Sequence, residues 1–279
     1  MSRRPSRFSS WARAALCGVA ATVACQGGSR TAVPSPAPSP QPNPTSVLGF
    51  DTRVFPGDAA LSAWKYPASP YRWIGYYLAA PCHRDASFAG KYSAITTAGW
   101  GVAALYVGQQ DWSNSPSVRP PAPGADTVTA TGPIICSATL LTVDQATAEA
   151  ADAVAKMRAD GFPDGSTIFL DVERVTRVSS ALIDYYRAWM AGVLSDGHYK
   201  PGVYVHKANA AALHDVEITA NGARYEPPFW IAFAGPTDSN TKPADVGLDY
   251  ARIWQSALDV TQTFNGVSLR IDVNVGAPQ

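Results

Sequence analysis

Four carboxylates, Asp51, Asp171, Glu173 and Asp272, each lie at or just past the end of an apolar run. The runs are 47–50, 167–170, which serves both Asp171 and Glu173, and 269–271. In a parallel barrel the strand ends open onto one face, and reactive groups are placed there. Within Asp171-Val172-Glu173 the acids occupy positions i and i+2, so on a strand both project to one side, roughly 6 to 7 Å apart, while Val172 packs the other way. Acids that close repel, which raises the pKa of the less solvated one and leaves its neighbour ionised. A proton donor beside a charge stabiliser is the pairing that cleavage of a glycosidic bond requires. The same acids would also suit a hard cation such as Ca²⁺ or Mg²⁺, which makes a metal-dependent hydrolase an alternative. The primary reading assigns no metal ligand and calls for no cofactor.

Other chemistries leave weaker marks. His83, His198, His206 and His214 show neither HExxH nor paired spacing, and no CxxC is present. Nucleophile elbow, Walker loop and dinucleotide fingerprint are all missing from the sequence. Acidic and basic residues balance at 22 each, and beyond the N-terminus lysine and arginine do not cluster, so the chain carries no electrostatic footprint for nucleic acid.

The acids need a frame to hold them. A length of 279 residues with 46% hydrophobic content is enough for one large core. From residue 47 onward apolar runs alternate with helical patterns, the mark of repeated βα units. Strands are expected at 47–52, 73–78, 102–107, 167–172, 202–205, 229–233, 252–255 and 269–273. Helices are expected at 143–159, between Thr142 and Gly161, at 180–195 before Gly197, and in shorter form at 86–97 and 207–214. The fold class that follows is α/β, a single irregular TIM-like (β/α) barrel over 47–279 whose last three strands are helix-poor. A proline-rich excursion at 113–132 sits where it would shape a cleft, and the loops at 111–141 and 234–250 are long enough to cover it.

Residues 1–25 read as a signal peptide: Arg3, Arg4, Arg7 and Arg13 precede an apolar stretch at 14–24, far short of the roughly 20 residues that a spanning helix needs. Ser2-Arg3-Arg4 hints at twin-arginine export, with the Sec route as the alternative. Thr22-Val23-Ala24-Cys25 resembles a bacterial lipobox, so either Cys25 is lipidated or cleavage follows Ala24. Residues 26–46, with proline at 34, 36, 38, 40, 42 and 44, form a semi-rigid linker of roughly 3 Å per residue. The expected location is the cell envelope or the exterior. In that oxidising setting Cys82 and Cys136 are an even pair that suggests a disulfide, the alternative being two separate thiols.

Gly49-Phe50-Asp51, Phe169-Leu170-Asp171-Val172-Glu173, Trp230-Ile231-Ala232, Trp254-Gln255 and Ile271-Asp272-Val273-Asn274, taken in order, resemble the lysozymes of glycoside hydrolase family 25. With Ile74-Gly75-Tyr76-Tyr77, Gly99-Trp100-Gly101 and Tyr106-Val107-Gly108-Gln109-Gln110 added, the pattern over 47–279 is more similar still to the exported bacterial Rv2525c-like glycoside-hydrolase-like domains. The resemblance implies Glu173 as general acid/base. It implies Asp171 as the group that stabilises charge or orients a substrate N-acetyl group, whose carbonyl acts as internal nucleophile. Asp51 and Asp272 would line the floor and tune the other two, and Tyr77, Tyr106, Gln109, Trp254 and Gln255 would bind sugar. One departure stands out: where the lysozymes carry Tyr-His-Phe, this chain has Leu105-Tyr106-Val107. The implied partner is an N-acetylated cell-envelope glycan, peptidoglycan first. The expectation is of no nucleic-acid partner, a monomer, and contact with a membrane only through a lipid anchor if Cys25 is lipidated. A non-catalytic glycan-binding module on the same barrel is the rival from another class, since a fold can outlive its turnover.

Overall fold

The computed structural model describes residues 47–112, 136–220, 222–238 and 240–278. The export signal, Cys25, the linker at 26–46 and the excursion at 113–132 lie outside the described residues. Eight strands close a barrel in the order β1 (Leu48–Asp51), β10 (Val267–Gly276), β9 (Ala251–Phe264), β8 (Phe229–Ala232), β5 (Lys200–His206), β4 (Thr167–Val172), β3 (Gly101–Tyr106) and β2 (Tyr71–Leu78), which pairs back onto β1. These are the eight runs expected from the sequence. A ribbon of β6 (Ile218–Ala220) and β7 (Ala223–Tyr225), not anticipated there, stands apart from the barrel sheet.

The long helices are α3 (Val143–Asp160) and α4 (Ser180–Asp196), and their ends follow local chemistry. The hydroxyls of Thr142 and Ser179 accept from the backbone N–H of Gln145 and Leu182, and Gly161 and Gly197 close the helices in the left-handed conformation. α2 (Tyr92–Thr97) is shorter than the 86–97 expected, α5 (Lys207–His214) agrees with its expected span, and α1 (Asp58–Trp64) carried too little periodicity in seven residues to be anticipated. Among the described residues only a 3₁₀ turn (Pro243–Val246) separates β8 from β9, in keeping with a helix-poor end.

The barrel is not parallel throughout, and this corrects the simplest expectation. β10 runs antiparallel to both β1 and β9. The cause is local: Asn265 (φ 47°) and Gly266 (φ 77°) form a two-residue reversal with the positive φ pair of a type I′ hairpin turn. The hairpin's far end docks on α1 and the start of β2. There Trp64 Nε1 donates to Val267 O at 2.9 Å, Tyr71 OH donates to Gln262 Oε1 at 2.9 Å, and Phe264 meets the Trp64 ring edge-on at 4.9 Å.

Alternation along the strands sets what fills the lumen. Trp73 and Trp230 meet edge-on at 5.3 Å, and Phe169 packs against Trp230 at 5.5 Å. Each indole N–H has a partner: Trp73 Nε1 donates to Gly276 O at 2.8 Å, and Trp230 Nε1 to Asn274 Oδ1 at 2.9 Å. Room for these rings comes from glycines. A Cβ on Gly49 would fall 2.0 Å from the Trp73 ring, and one on Gly202 would fall 2.7 Å from Phe169. The Sγ atoms of Cys82 and Cys136 are bonded, with Cα atoms 4.9 Å apart, which ties the segment after β2 to the approach to α3.

Gly49→Ala is therefore expected to cost about 1–3 kcal/mol of stability, the range for overpacking a dense core. Urea denaturation measures it, and wild-type stability in this variant would contradict the packing described for Trp73.

Candidate active site

Three strands bring the acids together. Asp51 ends β1, and two residues earlier Gly49 faces Trp73, so both lie on the lumen side. The antiparallel register sets Asp272 of β10 directly opposite Asp51, and Asn274, two residues on, shares its face. Reversing the last strand thus delivers Asp272 from the interior of a strand and not from its C-terminal end.

Asp51 is buried within its own hydrogen bonds. Oδ1 accepts from Tyr77 OH at 2.9 Å, and Oδ2 accepts from Asn274 Nδ2 at 2.7 Å and Gln255 Nε2 at 3.1 Å. Gln255 Nε2 also reaches Asp272 Oδ2 at 3.3 Å, while its Oε1 accepts from Tyr204 OH at 2.7 Å. The backbone N–H of Asp259 donates to Asp272 Oδ1 at 2.6 Å. Tyr204, on β5, feels the charge of all four acids, and burial together with those charges holds its phenol, like that of Tyr77, protonated well above the usual range. Both phenols are donors.

Asp171 and Glu173 are built differently. Pairing of β3 with β4 stops at Tyr106 and Leu170, which leaves the next stretch of β4 without a ladder partner on that side. The Gln110 side chain fills the gap: its Nε2 donates to Asp171 O at 2.7 Å and its Oε1 accepts from Glu173 N at 2.9 Å. One buried amide thus fixes the backbone on both sides of Val172. Asp171 is 5% exposed, and among the described residues its Oδ1 has no hydrogen-bond partner. Burial pushes its carboxyl well above the carboxylate range, and Glu173 and Asp51 add to the rise while Arg53 opposes it. Glu173, half-buried just past the end of β4, is also raised, by burial, again against Arg53. Burial outweighs the three donors to raise Asp51 as well. Asp272 is pushed up to about 7, by burial first and then by the charge of Asp51.

Of the expected site residues, the structure gathers Asp51, Asp171, Glu173, Asp272, Tyr77 and Gln255 at one end of the lumen. Three others are corrected. Tyr106 points outward, its OH donating to Asp152 Oδ2 on α3 at 2.9 Å, because it alternates with the inward Leu105. Gln109 is buried behind the strand, where its Nε2 donates to Glu149 Oε1 at 2.7 Å and its backbone N–H to Tyr185 OH at 3.0 Å. Trp254 must face away from the lumen because Gln255 faces into it, and its Nε1 donates to Phe233 O at 2.7 Å. The residues not anticipated are Tyr204, Asn274, Gln110 and Arg53. Alternation from Gly202 would have placed Tyr204 and alternation from Asp272 would have placed Asn274, while Arg53 lies in the loop after β1 and follows no period. Among the described residues no three His, Cys, Asp or Glu side chains are grouped so as to hold a metal ion. A cavity of about 390 Å³ opens between the loop after β1 and the β9–β10 hairpin and reaches Asp51 and Asp272.

Residues 62–276 match the family described as Rv2525c-like, glycoside hydrolase-like domain. No curated protein matched in sequence. Among solved structures, the spore cortex lytic enzyme SleM of Clostridium perfringens superposes with a TM-score of 0.53 at 15% identity, over 85% of this chain and 68% of that one. An uncharacterized B. stearothermophilus protein gives 0.50 at 15% identity, over 84% and 96%. The Mycobacterium tuberculosis Tat-secreted protein Rv2525c, solved with L-tartrate, gives 0.49 at 16% identity, over 82% and 94%. At these identities the structural likeness shows the barrel alone.

The raised Asp272 carboxyl links stability to pH. It holds its proton up to about pH 7 in the folded chain, against a reference value of 3.8. Between those values the native state binds more protons than the unfolded state, so the contribution present at low pH is lost as pH rises through that window. Asp272→Asn removes the titration. Its stability relative to wild type, measured in urea, is expected to improve from about pH 5 to about pH 8, and an unchanged difference would contradict the assignment.

Proposed function

The chain belongs to the Rv2525c-like, glycoside hydrolase-like family, and from that premise we propose that it is an exported hydrolase of an N-acetylated cell-envelope glycan, peptidoglycan first, with Glu173 as general acid/base. One observation carries the reading. At the end of β4 a buried Asp171 with an unengaged Oδ1 stands beside a half-buried Glu173, and both resist ionisation. An acid whose pKa is raised above the ordinary carboxylate range retains its proton further toward neutral pH, which is what a general acid needs.

In the proposed reaction Glu173 protonates the glycosidic oxygen as the C–O bond breaks. The substrate's own N-acetyl carbonyl oxygen forms the new bond at the anomeric carbon, and Asp171 Oδ1 orients that group through its N–H. Water then attacks the same carbon as its bond to the acyl oxygen breaks and the N-acetyl carbonyl re-forms, and the proton the water loses passes to Glu173, restoring the starting state. Asp51, joined to Asp272 through Gln255, forms the floor, and its charge adds to the rise of the Asp171 carboxyl. That SleM, a spore cortex lytic enzyme, shares the barrel supports an envelope glycan as substrate class. The arginine-bearing N-terminus supports export, and Cys25 followed by the proline-rich segment supports a tethered domain.

Glu173→Gln preserves shape but cannot deliver a proton, so hydrolysis of peptidoglycan or chito-oligosaccharides is expected to fall by about 10²- to 10⁴-fold with binding retained. Release of reducing ends is the readout. Full activity in this variant would remove Glu173 from the mechanism. Binding without turnover in the wild type would make the chain a glycan-binding module.

A further inference from the structure

The segment that carries Asp171 and Glu173 outruns the strands on either side of it. β3 pairs with β4 only as far as Tyr106 opposite Leu170, and β5 only as far as Val205 opposite Val172. Beyond those points two buried side-chain amides take over. Continuing the β3 register would set Gly108 opposite Val172, and the Gln110 amide stands in for that partner. Its Nε2 donates to Asp171 O at 2.7 Å and its Oε1 accepts from Glu173 N at 2.9 Å, the residues that flank Val172. That is the bonding a parallel strand gives. Asn209 of α5 then grips Val175. Its Oδ1 accepts from Val175 N at 3.1 Å and its Nδ2 donates to Val175 O at 2.9 Å, the paired exchange of an antiparallel ladder. Gln110 is 1% exposed and Asn209 4%, and Glu173 lies between the two grips.

Each grip is itself held. Gln109 turns the opposite way from Gln110, donating through Nε2 to Glu149 Oε1 and accepting at Oε1 from Ser137 N at 2.8 Å, next to the Cys82–Cys136 bridge. Asn209 sits in the first turn of α5, whose start is capped by His206 Nδ1 accepting from Ala208 N at 3.1 Å. A primary amide offers donor and acceptor from one planar, uncharged group, so it can replace a peptide unit beside two acids without adding to their charge. We propose that Gln110 and Asn209 are positioning residues, which extend the sheet past its last ladder bond and so fix how Glu173 presents its carboxyl relative to Asp171. The effect on turnover rests on the hydrolase reading of the site, whereas the clamp itself can be tested without turnover.

The test uses the full chain with Gln110→Met or Asn209→Leu, which keep apolar volume but remove both hydrogen bonds. A third variant, Gln110→Glu, offers in its protonated form an O–H to Asp171 O and a C=O to Glu173 N. On peptidoglycan, each apolar variant is expected to lower kcat about 10- to 100-fold with KM within about twofold of wild type, the cost of misplacing a reacting group by about 1 Å. Gln110→Glu is expected to approach wild-type activity in acid and to lose it as the new carboxyl ionises, so its ratio to wild type falls as pH rises. The side-chain ¹³C midpoints of Asp171 and Glu173 are expected to move toward the ordinary carboxylate range in the apolar variants, because a loosened segment admits water. The Asp272 midpoint at about 7 is expected to stay in place. The thermal transition shows that each variant is folded. Wild-type kcat in both apolar variants, a loss that falls on KM alone, or unmoved Asp171 and Glu173 midpoints would overturn the proposal. If neither apolar variant folds, Gln110→Glu decides, and a ratio constant with pH overturns it. A wild type without turnover removes the hydrolase reading and leaves the midpoints to decide this one.

Discussion

Four carboxyl groups share one end of a narrow lumen, where burial raises the pKa of each, and the charge of Asp51 adds to the rise at Asp171 and Asp272 as that of Glu173 does at Asp171. The rest of the site follows from that constraint. Tyr77, Asn274 and the Gln255 amide donate to the acids, and Tyr204 donates to Gln255. They hold Asp51 and Asp272 in fixed positions while burial still raises both. Asp171 receives no such bond at Oδ1 and is raised further. A site of this kind stores protons near neutrality, and an acid at its edge can give one up and take it back.

The frame beneath makes the constraint possible. Trp73, Trp230 and Phe169 plug the lumen under the acids, and their indole N–H groups are satisfied by Gly276 O and Asn274 Oδ1. Asn274 therefore works in two directions, accepting from the aromatic floor and donating to Asp51. The reversed last strand is what allows this, because it lays Asp272 and Asn274 along β1 in one register. A parallel eighth strand would have offered only its terminal residue to the acid face. The docking of the hairpin on Trp64 and Tyr71 fixes that register from outside the barrel.

How far the sequence could be read depended on the range of the interaction. The eight barrel strands and the two long helices declare themselves through local periodicity and capping, as do the acids at the ends of apolar runs. Direction of a strand does not follow from apolar runs alone, and the local sign of reversal, Asn265-Gly266 followed by the strict alternation of Val267, Leu269, Ile271, Val273 and Val275 with polar residues, is a hairpin signal that a search for apolar runs passes over. Trp254 beside Gln255, and Tyr106 beside Leu105, could not share a face with their neighbours, so period-two reasoning would have turned both away from the site. Gln109 is different. Its partners Glu149 and Tyr185 lie on helices 40 and 76 residues later, and nothing local announces them. The same is true of Gln110, whose bonds to Asp171 and Glu173 span more than 60 residues.

The most direct test of the account is a pH titration of the Asp and Glu side-chain carboxyl carbons by ¹³C NMR, with single Asn or Gln variants to assign the four site signals. Because the acids interact, the midpoints belong to the cluster as well as to individual residues. The account predicts a carboxyl titrating near 7 that is lost in Asp272→Asn, and an Asp171 carboxyl whose midpoint stays well above the ordinary carboxylate range. Four midpoints near the reference values of 3.8 for aspartate and 4.5 for glutamate would contradict it, because the acids would then be independent, solvated carboxylates with no proton held for catalysis.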